Sequence, residues 1–594
     1  MILKLSLNGV KKQWRDYIVL FSGLVVAATI FYMFLAVTVN PEIYKDSVSL
    51  SLKLLSAVFM VGAVFLGVVT FFYLIYANTF LLNMRQKEYG MFLTLGAKRR
   101  KLVELIYSET MILGSLSTVL GIVIGIFLTK IVGNVLIKNL DLDIPTMTGF
   151  VPKAILWTIL FFFVLFFIAS TYNTQKLLRT SAIKLLKEND RPSKLYGQNP
   201  IVRGIQAALG IALLAVAYYQ LKDFQTDNIK VRLSVIFFGI LIGTVLFFHS
   251  FFTVLFNFLM SKRGMSYKKL RLFTFGQIKF RINSLTTVLS VTSIMFALAL
   301  GAMSVGQQFH KLNNKVVANY YSVVLSTHSK QIDAQVKKLH VESDNEYGYK
   351  MTQTGDVYVN LGDFEKHPMY YTKVTDNGNK IENKRVTMDV IKSNRVGETL
   401  PFLMLTRYQE KKLHFVSQDQ FNGVAGMESH IRYIRVHSLR QDKKTLAKIE
   451  KLVEAKDPIF QLSGYMNYKQ ASMMTGAFQF MGYFLSLAFL TMLASTLMFK
   501  VLSGALQDKQ RYNMLYRIGA DRKMMKASVR NELAVTFLVP GIMGTINVIC
   551  GLYMFAKVFD NPWRDLWGQA LIFWVLYAIY YIITVKIYQK IVLK

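Results

Sequence analysis

Apolar residues fall in long, uninterrupted runs separated by short polar segments. About 20 consecutive apolar residues span a bilayer as an α-helix, because hydrocarbon offers no hydrogen bonds and each backbone group must be satisfied within the segment. The sequence contains ten such runs, at approximately 17–39, 54–81, 105–132, 151–172, 205–221, 231–260, 285–306, 478–501, 528–556 and 569–588. The pattern therefore predicts ten transmembrane helices.

Composition agrees with this pattern. The chain has 594 residues, of which 53% are hydrophobic and only 18% charged, whereas soluble globular proteins are about 25% charged. Soluble enzymes and disordered chains are excluded. The single cysteine, Cys550, cannot form an internal disulfide.

The net charge of +35 is explained by where the basic residues lie. The two terminal tails and the connections after the even-numbered helices, with their flanks, hold 35 Lys and Arg, against 10 in the opposing short connections. Basic residues favour the cytoplasmic side and meet anionic lipid there. We therefore expect a multi-pass cell-membrane protein with both termini cytoplasmic, and no nucleic-acid partner.

One connection is long enough to fold. It begins near His310, ends near Thr475 and contains 25 basic and 18 acidic residues. Alternating apolar positions predict strands at 356–361 and 431–437, and helical periodicity predicts a helix at 443–456. We expect a mixed α and β domain on the outer side. Its mild basic charge suits either a solvated surface, the favoured interpretation, or an anionic headgroup or pyrophosphate.

The sequence contains an internal repeat. Segments beginning at Arg85 and Asp508 align without a gap at an offset of 423. The matched pairs are Tyr89 and Tyr512, Met91 and Met514, Gly96 and Gly519, Ala97 and Ala520, Arg99 and Arg522, Glu109 and Glu532, and Gly121 and Gly544. The chain thus divides into a first unit (1–180), two linking helices (181–265), helix seven (266–307), the outer domain (308–475) and helices eight to ten (476–594).

The repeated segment predicts a structure at the cytoplasmic surface. Residues 87–95 form an amphipathic pattern that ends at Gly96, where φ can be positive, before a basic cluster at 98–101. Such a helix is either an ordinary re-entry turn or a surface on which a cytoplasmic partner pushes. The duplication favours the second interpretation.

Ionisable and helix-breaking residues inside the apolar runs are few. Glu109 and Glu532 lie near the starts of helices three and nine, where helix capping or inter-helix hydrogen bonding is favoured over a proton relay. Pro540 predicts a kink in helix nine. The lone His249 in helix six is more typical of a hydrogen-bonded structural residue than of a catalyst.

The repeat resembles a known family. The pattern Glu88, Gly90, Leu95, Gly96, Ala97, Glu109, Gly114 and Gly121 resembles the FtsX-like permease domain of MacB-type ABC transporters. Ten helices, two such domains and one outer domain resemble the BceB-type (bacitracin-resistance) permeases. The second copy departs from the pattern, with Arg511 in place of the acid and Asn513 in place of the glycine, but keeps Ile518, Gly519, Ala520 and Glu532.

The resemblance implies a fold and a partner. The fold is an all-α polytopic membrane protein with ten transmembrane helices in two FtsX-like four-helix units, plus one extracellular α+β domain. A separate ABC ATPase, in two copies, would bind ATP and magnesium and contact Glu88, Tyr89, Gly90, Leu95, Gly96, Ala97, Tyr512, Ile518, Gly519 and Ala520. The chain has no G-x(4)-G-K-[ST] phosphate loop, so we expect no cofactor and no metal of its own.

The resemblance also implies a mechanism, mechanotransmission, in which ATP-driven movement reaches the outer domain without a substrate tunnel. Relatives release peptide antibiotics from lipid-linked cell-wall targets, and several bind a membrane histidine kinase of the BceS type. We expect the antibiotic or its target to be recognised within 310–475. An FtsX-like or MacB-like permease for lipid, lipoprotein or cell-wall hydrolase regulation, and a sensor scaffold without transport, remain alternatives.

Two other classes fit less well. A membrane enzyme is disfavoured because the sequence has no H-E-x-x-H, no G-x-S-x-G and no paired carboxylates at catalytic spacing. A secondary transporter is disfavoured because such proteins place charges at the membrane midplane, whereas here charges cluster near the ends of the apolar runs.

Overall fold

The structure is a computed structural model. It describes residues 14–40, 50–140, 148–178, 200–222, 228–261, 282–312, 320–326, 329–353, 356–375, 380–387, 413–453, 460, 463–556, 559 and 561–593. The chain forms two compact units. Met1–Gln308 and Ala477–Lys594 form the membrane unit, and Phe309–Gly476 form the second unit, which we call the inserted domain.

The ten predicted membrane helices are confirmed. Within the described ranges, ten helices are long and apolar enough to cross a membrane. They are α1 (Trp14–Thr38), α2 (Leu50–Met84), α4 (Arg99–Leu140), α5 (Pro152–Leu178), α6 (Pro200–Lys222), α7 (Ile229–Ser261), α8 (Ile282–Leu312), α13 (Gly464–Arg517), α14 (Arg522–Gly551) and α15 (Pro562–Val592). Most helices extend past the apolar run that predicted them, because helical backbone continues into the polar boundary.

Helix α13 differs most from its prediction. The apolar run predicted a helix at 478–501, whereas the helix occupies Gly464–Arg517, 54 residues without a break. At 1.5 Å per residue its length is about 81 Å, far more than a bilayer requires. Its first residues lie in the inserted domain and the remainder in the membrane unit.

The two repeats use an equivalent glycine to bring helices together. A Cβ at Gly121 of α4 would lie 2.5 Å from Cβ of Ala28 in α1. A Cβ at the aligned Gly544 of α14 would lie 2.7 Å from Cδ1 of Phe296 in α8. Both positions therefore need a residue without a side chain, which gives the sequence repeat a packing explanation.

The repeats meet through α2 and α13. The buried Tyr73 hydroxyl of α2 donates a hydrogen bond to Ser495 Oγ of α13 at 2.7 Å. The rings of Phe65 and Phe489, on the same two helices, lie 5.7 Å apart in an edge-on arrangement. Polar and aromatic contacts thus join the two halves inside the apolar layer.

The linking helices α6 and α7 pack as a hairpin against the second repeat. Leu214 and Phe248 form a buried cluster with Leu289 of α8 and Met543 of α14. The parts of the predicted linker at 181–199, 223–227 and 262–265 lie outside the described residues. His249 is half-buried in α7.

The inserted domain is mixed α and β, as predicted. Its main sheet has the strand order β1-β7-β2-β3-β6, with β3 and β6 parallel and the other neighbours antiparallel; β4 and β5 form a separate hairpin. The strands are β1 (Val323–Leu325), β2 (Val341–Met351), β3 (Val357–Asn360), β4 (Tyr370–Thr375), β5 (Lys380–Arg385), β6 (Leu413–Val416) and β7 (Met427–Val436). The helices are α9 (Lys330–Val336), α10 (Leu361–Lys366), α11 (Gln418–Gly423) and α12 (Lys443–Val453).

Both faces of this sheet are covered. Alternate residues of β7 point to opposite sides, so Ile431 and Tyr433 join one buried cluster, while Ile434 and Val436 join another. The second cluster contains α9 and α12 together with Tyr465 of α13. The start of the long membrane helix is therefore part of the core of the inserted domain.

Two arginines of β7, Arg432 and Arg435, form ion pairs within the inserted domain. Arg432 Nε lies 2.7 Å from Asp344 Oδ1, and Arg432 Nη1 lies 2.7 Å from Asp333 Oδ1. These carboxylates raise the pKa of the Arg432 guanidinium. Arg435 Nε lies 2.7 Å from Glu342 Oε2. The pairing favours the solvated-surface interpretation over an anion site on these strands.

We predict that Gly121→Leu destabilises the membrane unit. A leucine must push α1 and α4 apart, which costs about 1–3 kcal/mol and lowers the thermal unfolding midpoint of the purified protein. Gly568→Leu in α15 is the matched control, because no neighbouring atom lies within 4 Å of its Cβ position. Equal midpoints for the two variants would contradict the packing role of Gly121.

Candidate functional site: two repeated turns

Both copies of the repeated segment end a helix in a left-handed turn. Gly96 follows the short helix α3 (Gln86–Thr94) and has φ of +90°. Gly519 follows α13 and has φ of +95°. The predicted helix at 87–95 is thus confirmed in the first copy, whereas in the second copy the aligned residues are the last turns of α13.

The hydrogen bonds of the two turns correspond one to one. In the first, Ala97 N donates to Phe92 O at 2.9 Å and Gly96 N to Leu93 O at 3.2 Å. In the second, the donors and acceptors are Ala520 N to Leu515 O at 3.1 Å and Gly519 N to Tyr516 O at 3.0 Å. This pair of bonds defines a Schellman motif.

The turns need glycine because of backbone conformation. No atom lies within 4 Å of the Cβ position at Gly96 or Gly519, so there is room for a side chain. Only the left-handed φ, which L-residues with a Cβ adopt at a cost, explains the repeated glycine.

An apolar side chain projects from each turn. Leu95 is 84% exposed and the aligned Ile518 is 83% exposed. Further exposed apolar side chains flank them, namely Met91, Phe92, Met514 and Tyr516. Large apolar side chains presented on a turn at the polar boundary indicate an interaction surface.

Basic residues lie beside the exposed apolar side chains of both turns, Leu95 and Ile518. The exposed basic residues are Lys98, Arg99, Arg100 and Lys101 beside the first turn, and Arg517, Arg522, Lys523 and Lys526 beside the second. The guanidinium of Arg522 also lies over the ring of Tyr516, 5.5 Å from the ring centroid. An exposed apolar side chain with basic residues beside it is complementary to an apolar groove that is bordered by acidic groups.

A buried tyrosine anchors each turn from the inside. Tyr89 and Tyr512 are each 2% exposed. The first packs with Leu82, Leu102, Leu105 and Ile106, and the second with Ala505, Met525 and Val529 among others. Four aligned pairs of residues thus occupy the two clusters, so the repeat extends from backbone to packing.

The predicted site residues separate into two groups. Leu95, Gly96, Ala97, Ile518 and Gly519 are exposed and lie on the turns, with Ala520 half-buried beside them. Tyr89, Gly90 and Tyr512 are buried, and the two tyrosines pack in the apolar clusters next to the turns. Glu88 is partly exposed on α3, where it faces Arg85.

Arg85 belongs to the candidate site but was not among the site residues predicted from the sequence. Its side chain is 9% exposed and lies between α3 and α4. Nη1 lies 2.5 Å from Glu109 Oε2, Nε lies 3.0 Å from Glu88 Oε2, and the guanidinium lies 5.1 Å from the centroid of the Tyr89 ring. One side chain therefore joins the short helix to the third membrane helix.

Asp508 occupies the aligned position in the second copy. It is 2% exposed, and its Oδ2 accepts a hydrogen bond from the Tyr588 hydroxyl of α15. Its Oδ1 lies 3.8 Å from Arg511 Nη1. The signal for both residues was in the alignment, which places Arg85 opposite Asp508 and Glu88 opposite Arg511.

The helix-capping interpretation of the repeated glutamates is wrong. Helix α4 begins at Arg99 and α14 at Arg522, so Glu109 and Glu532 lie well beyond the first helical turn. Glu109 instead bonds across to Arg85, the inter-helix alternative. Glu532 is half-buried. Pro540 is buried inside α14, which continues past it to Gly551.

We predict that a substitution at Gly96 changes the stability of the turn only through the left-handed φ that the residue must adopt. Gly96→Val places a β-branched residue in left-handed backbone, at a cost of order 1–3 kcal/mol, and should increase amide hydrogen exchange at 92–97. Gly96→Asn adds a similar volume but tolerates this φ, and should leave exchange near that of the unchanged protein. Equal exchange in the two variants would contradict the assignment.

Comparisons with known proteins agree with this architecture. Residues 60–182, which include the first turn, match the family of FtsX-like permease C-terminal domains. The bacitracin export permease BceB of Bacillus subtilis is 22% identical, with 100% of this chain and 99% of the relative covered. BceB of Halalkalibacterium halodurans is 21% identical, with 99% of each chain covered. The uncharacterized permease YvcS of Bacillus subtilis is 22% identical, with 98% of this chain and 97% of the relative covered.

These similarities extend over the whole chain, including the inserted domain. The ten apolar helices make the chain a multi-pass membrane protein. Taken with the repeated turns and the family match, they support a permease subunit of an ABC transporter of the BceB and FtsX-like type.

Proposed function

We propose that two copies of a cytoplasmic ABC ATPase dock on the two turns and drive this permease. Support comes from the equivalent backbone of the turns and from the exposed Leu95 and Ile518 at their tips. The sequence has no phosphate loop, which is in keeping with ATP and magnesium bound by the partner. The excess of basic residues near the turns supports a cytoplasmic position for them.

The unbroken helix α13 is the observation that carries the proposal. Its C-terminal end forms the second turn, at Gly519. Its N-terminal end lies in the core of the inserted domain, where Tyr465 and Met466 are buried. A movement of the turn therefore has a continuous hydrogen-bonded path to the inserted domain.

An ion pair also holds the N-terminal part of helix α13 within the inserted domain. Lys469 Nζ lies 2.6 Å from Glu450 Oε1 of α12, and the Tyr465 hydroxyl donates to Glu450 Oε2 at 3.3 Å. The Glu450 side chain is 2% exposed. Separating a buried ion pair leaves an uncompensated charge, so α13 and α12 should move together.

The proposed mechanism is mechanotransmission. ATP-driven movement of the docked subunits displaces the turns, and α13 carries the displacement to the inserted domain, which acts on its substrate outside the membrane. We propose a peptide antibiotic on a lipid-linked cell-wall target as the substrate, because two full-length relatives are bacitracin export permeases. The histidine kinase partner stays a prediction from the family resemblance.

We predict that Leu487→Pro uncouples ATP hydrolysis from resistance. Leu487 is 50% exposed in the membrane part of α13, so the substitution removes little packing but interrupts the helix, at a cost of about 3 kcal/mol. The permease and its partner ATPase, reconstituted together, should still hydrolyse ATP. Cells that express both should lose bacitracin resistance.

Leu209→Pro is the matched control, because Leu209 is 52% exposed in α6, which joins neither turn to the inserted domain. It should retain both hydrolysis and resistance at equal membrane abundance. Full resistance with Leu487→Pro would contradict transmission through α13. Hydrolysis by the unmodified permease without its partner would contradict the division of labour.

A further inference from the structure

The two turns share a backbone but not the groups that hold them. At the aligned positions, Arg85 and Glu88 of the first copy are replaced by Asp508 and Arg511 in the second. In both pairs the residues are three positions apart, and the upstream residue is almost completely buried. The buried residue is therefore basic in the first copy and acidic in the second.

In the first copy the buried residue stands at a break in the helix. Helix α2 ends at Met84 and α3 begins at Gln86, so Arg85 is the only residue between them, with φ of −97° and ψ of +5°. The backbone there does not fix the direction of α3 as a continuous helix would. The contacts of Arg85 with Glu109 and Glu88 hold α3 against α4.

In the second copy the buried residue lies inside a helix. Asp508 belongs to the unbroken α13, whose direction is set by its own backbone. Its hydrogen bond from Tyr588 leads to α15, not to α14, the helix equivalent to α4. An aspartate cannot reproduce the first arrangement, because the residue aligned with Glu109 is Glu532 and two acidic residues do not form an ion pair.

We infer that the two docking turns are mechanically unequal and that Arg85 is the positioning residue of the first. This inference rests on the proposed function and assigns separate roles within it. The first turn follows a break in the helix and is held to α4 by the ion pair between Arg85 and Glu109, so movement there passes into α4 through Glu109. The second turn is the rigid end of α13, and movement there passes directly to the inserted domain.

The first test is structural and does not depend on a partner. Arg85→Gln removes the charge that pairs with Glu109, and amide exchange over 86–97 should rise about tenfold or more. Arg85→Lys keeps the charge and should restore much of the protection. Asp508→Asn keeps an acceptor for Tyr588, so exchange over 509–520 should be unchanged. Unchanged exchange in Arg85→Gln would overturn the inference.

The second test is functional, with the full permease and its partner ATPase in lipid nanodiscs and in cells. Arg85→Gln should lower bacitracin resistance per ATP hydrolysed by about tenfold, a typical size for coupling between linked sites. Arg85→Lys should recover most of it, and Asp508→Asn should retain it. Adding Glu109→Gln to Arg85→Gln should cause no further loss of resistance, because each change removes the same ion pair.

Equal losses in Arg85→Gln and Asp508→Asn would show equivalent turns and overturn the inference. Failure of the ATPase to act with the unmodified permease would instead refute the proposed function. Hydrogen exchange still decides whether Arg85 holds α3, so the two failures are distinguishable.

Discussion

Hydrocarbon cannot hydrogen-bond to the backbone, and this constraint determines where the molecule can be irregular. Within the membrane the chain must be helical, and the ten long helices obey this. The break at Arg85 and the left-handed turns at Gly96 and Gly519 all lie at helix ends. Each turn closes its own backbone bonds through a Schellman motif, so its side chains remain available to a partner.

The two copies of the repeat share a backbone conformation but differ in their side-chain contacts. Aligned residues form the turn, the buried tyrosine anchor and the close contact at Gly121 and Gly544. The copies diverge at the buried charge, which contacts α4 in the first and α15 in the second. They also diverge in continuity, since α2 and α3 are separate helices while α13 is one. Turns with equivalent backbones thus connect to different parts of the protein.

Hydropathy predicted the ten helices because the cost of burying polar groups in lipid is large and local. The repeat alignment predicted the turns, because a left-handed φ selects glycine in a way that a sequence displays directly. The length of α13 was not predictable from hydropathy, since residues 464–477 are mixed in polarity and their helical state depends on packing inside the inserted domain.

The role of Arg85 was hidden for a different reason. A basic residue at a helix end is usually an orientation signal, and only the three-dimensional structure shows that its side chain is buried against Glu109. The contact between Asp508 and Tyr588 joins residues far apart in sequence, and no local pattern reports it. Comparing the two copies at their fixed offset was the one sequence signal that pointed to both.

Cysteine accessibility at the two tips tests the central claim most directly. In a Cys550→Ser background, Leu95→Cys and Ile518→Cys should react with a membrane-impermeant maleimide in inside-out vesicles and not in intact cells. Met427→Cys, at a position 76% exposed in the inserted domain, should show the opposite pattern. Binding of the partner ATPase should protect both tip cysteines. Labelling of either tip from outside, or no protection by the bound ATPase, would contradict the account.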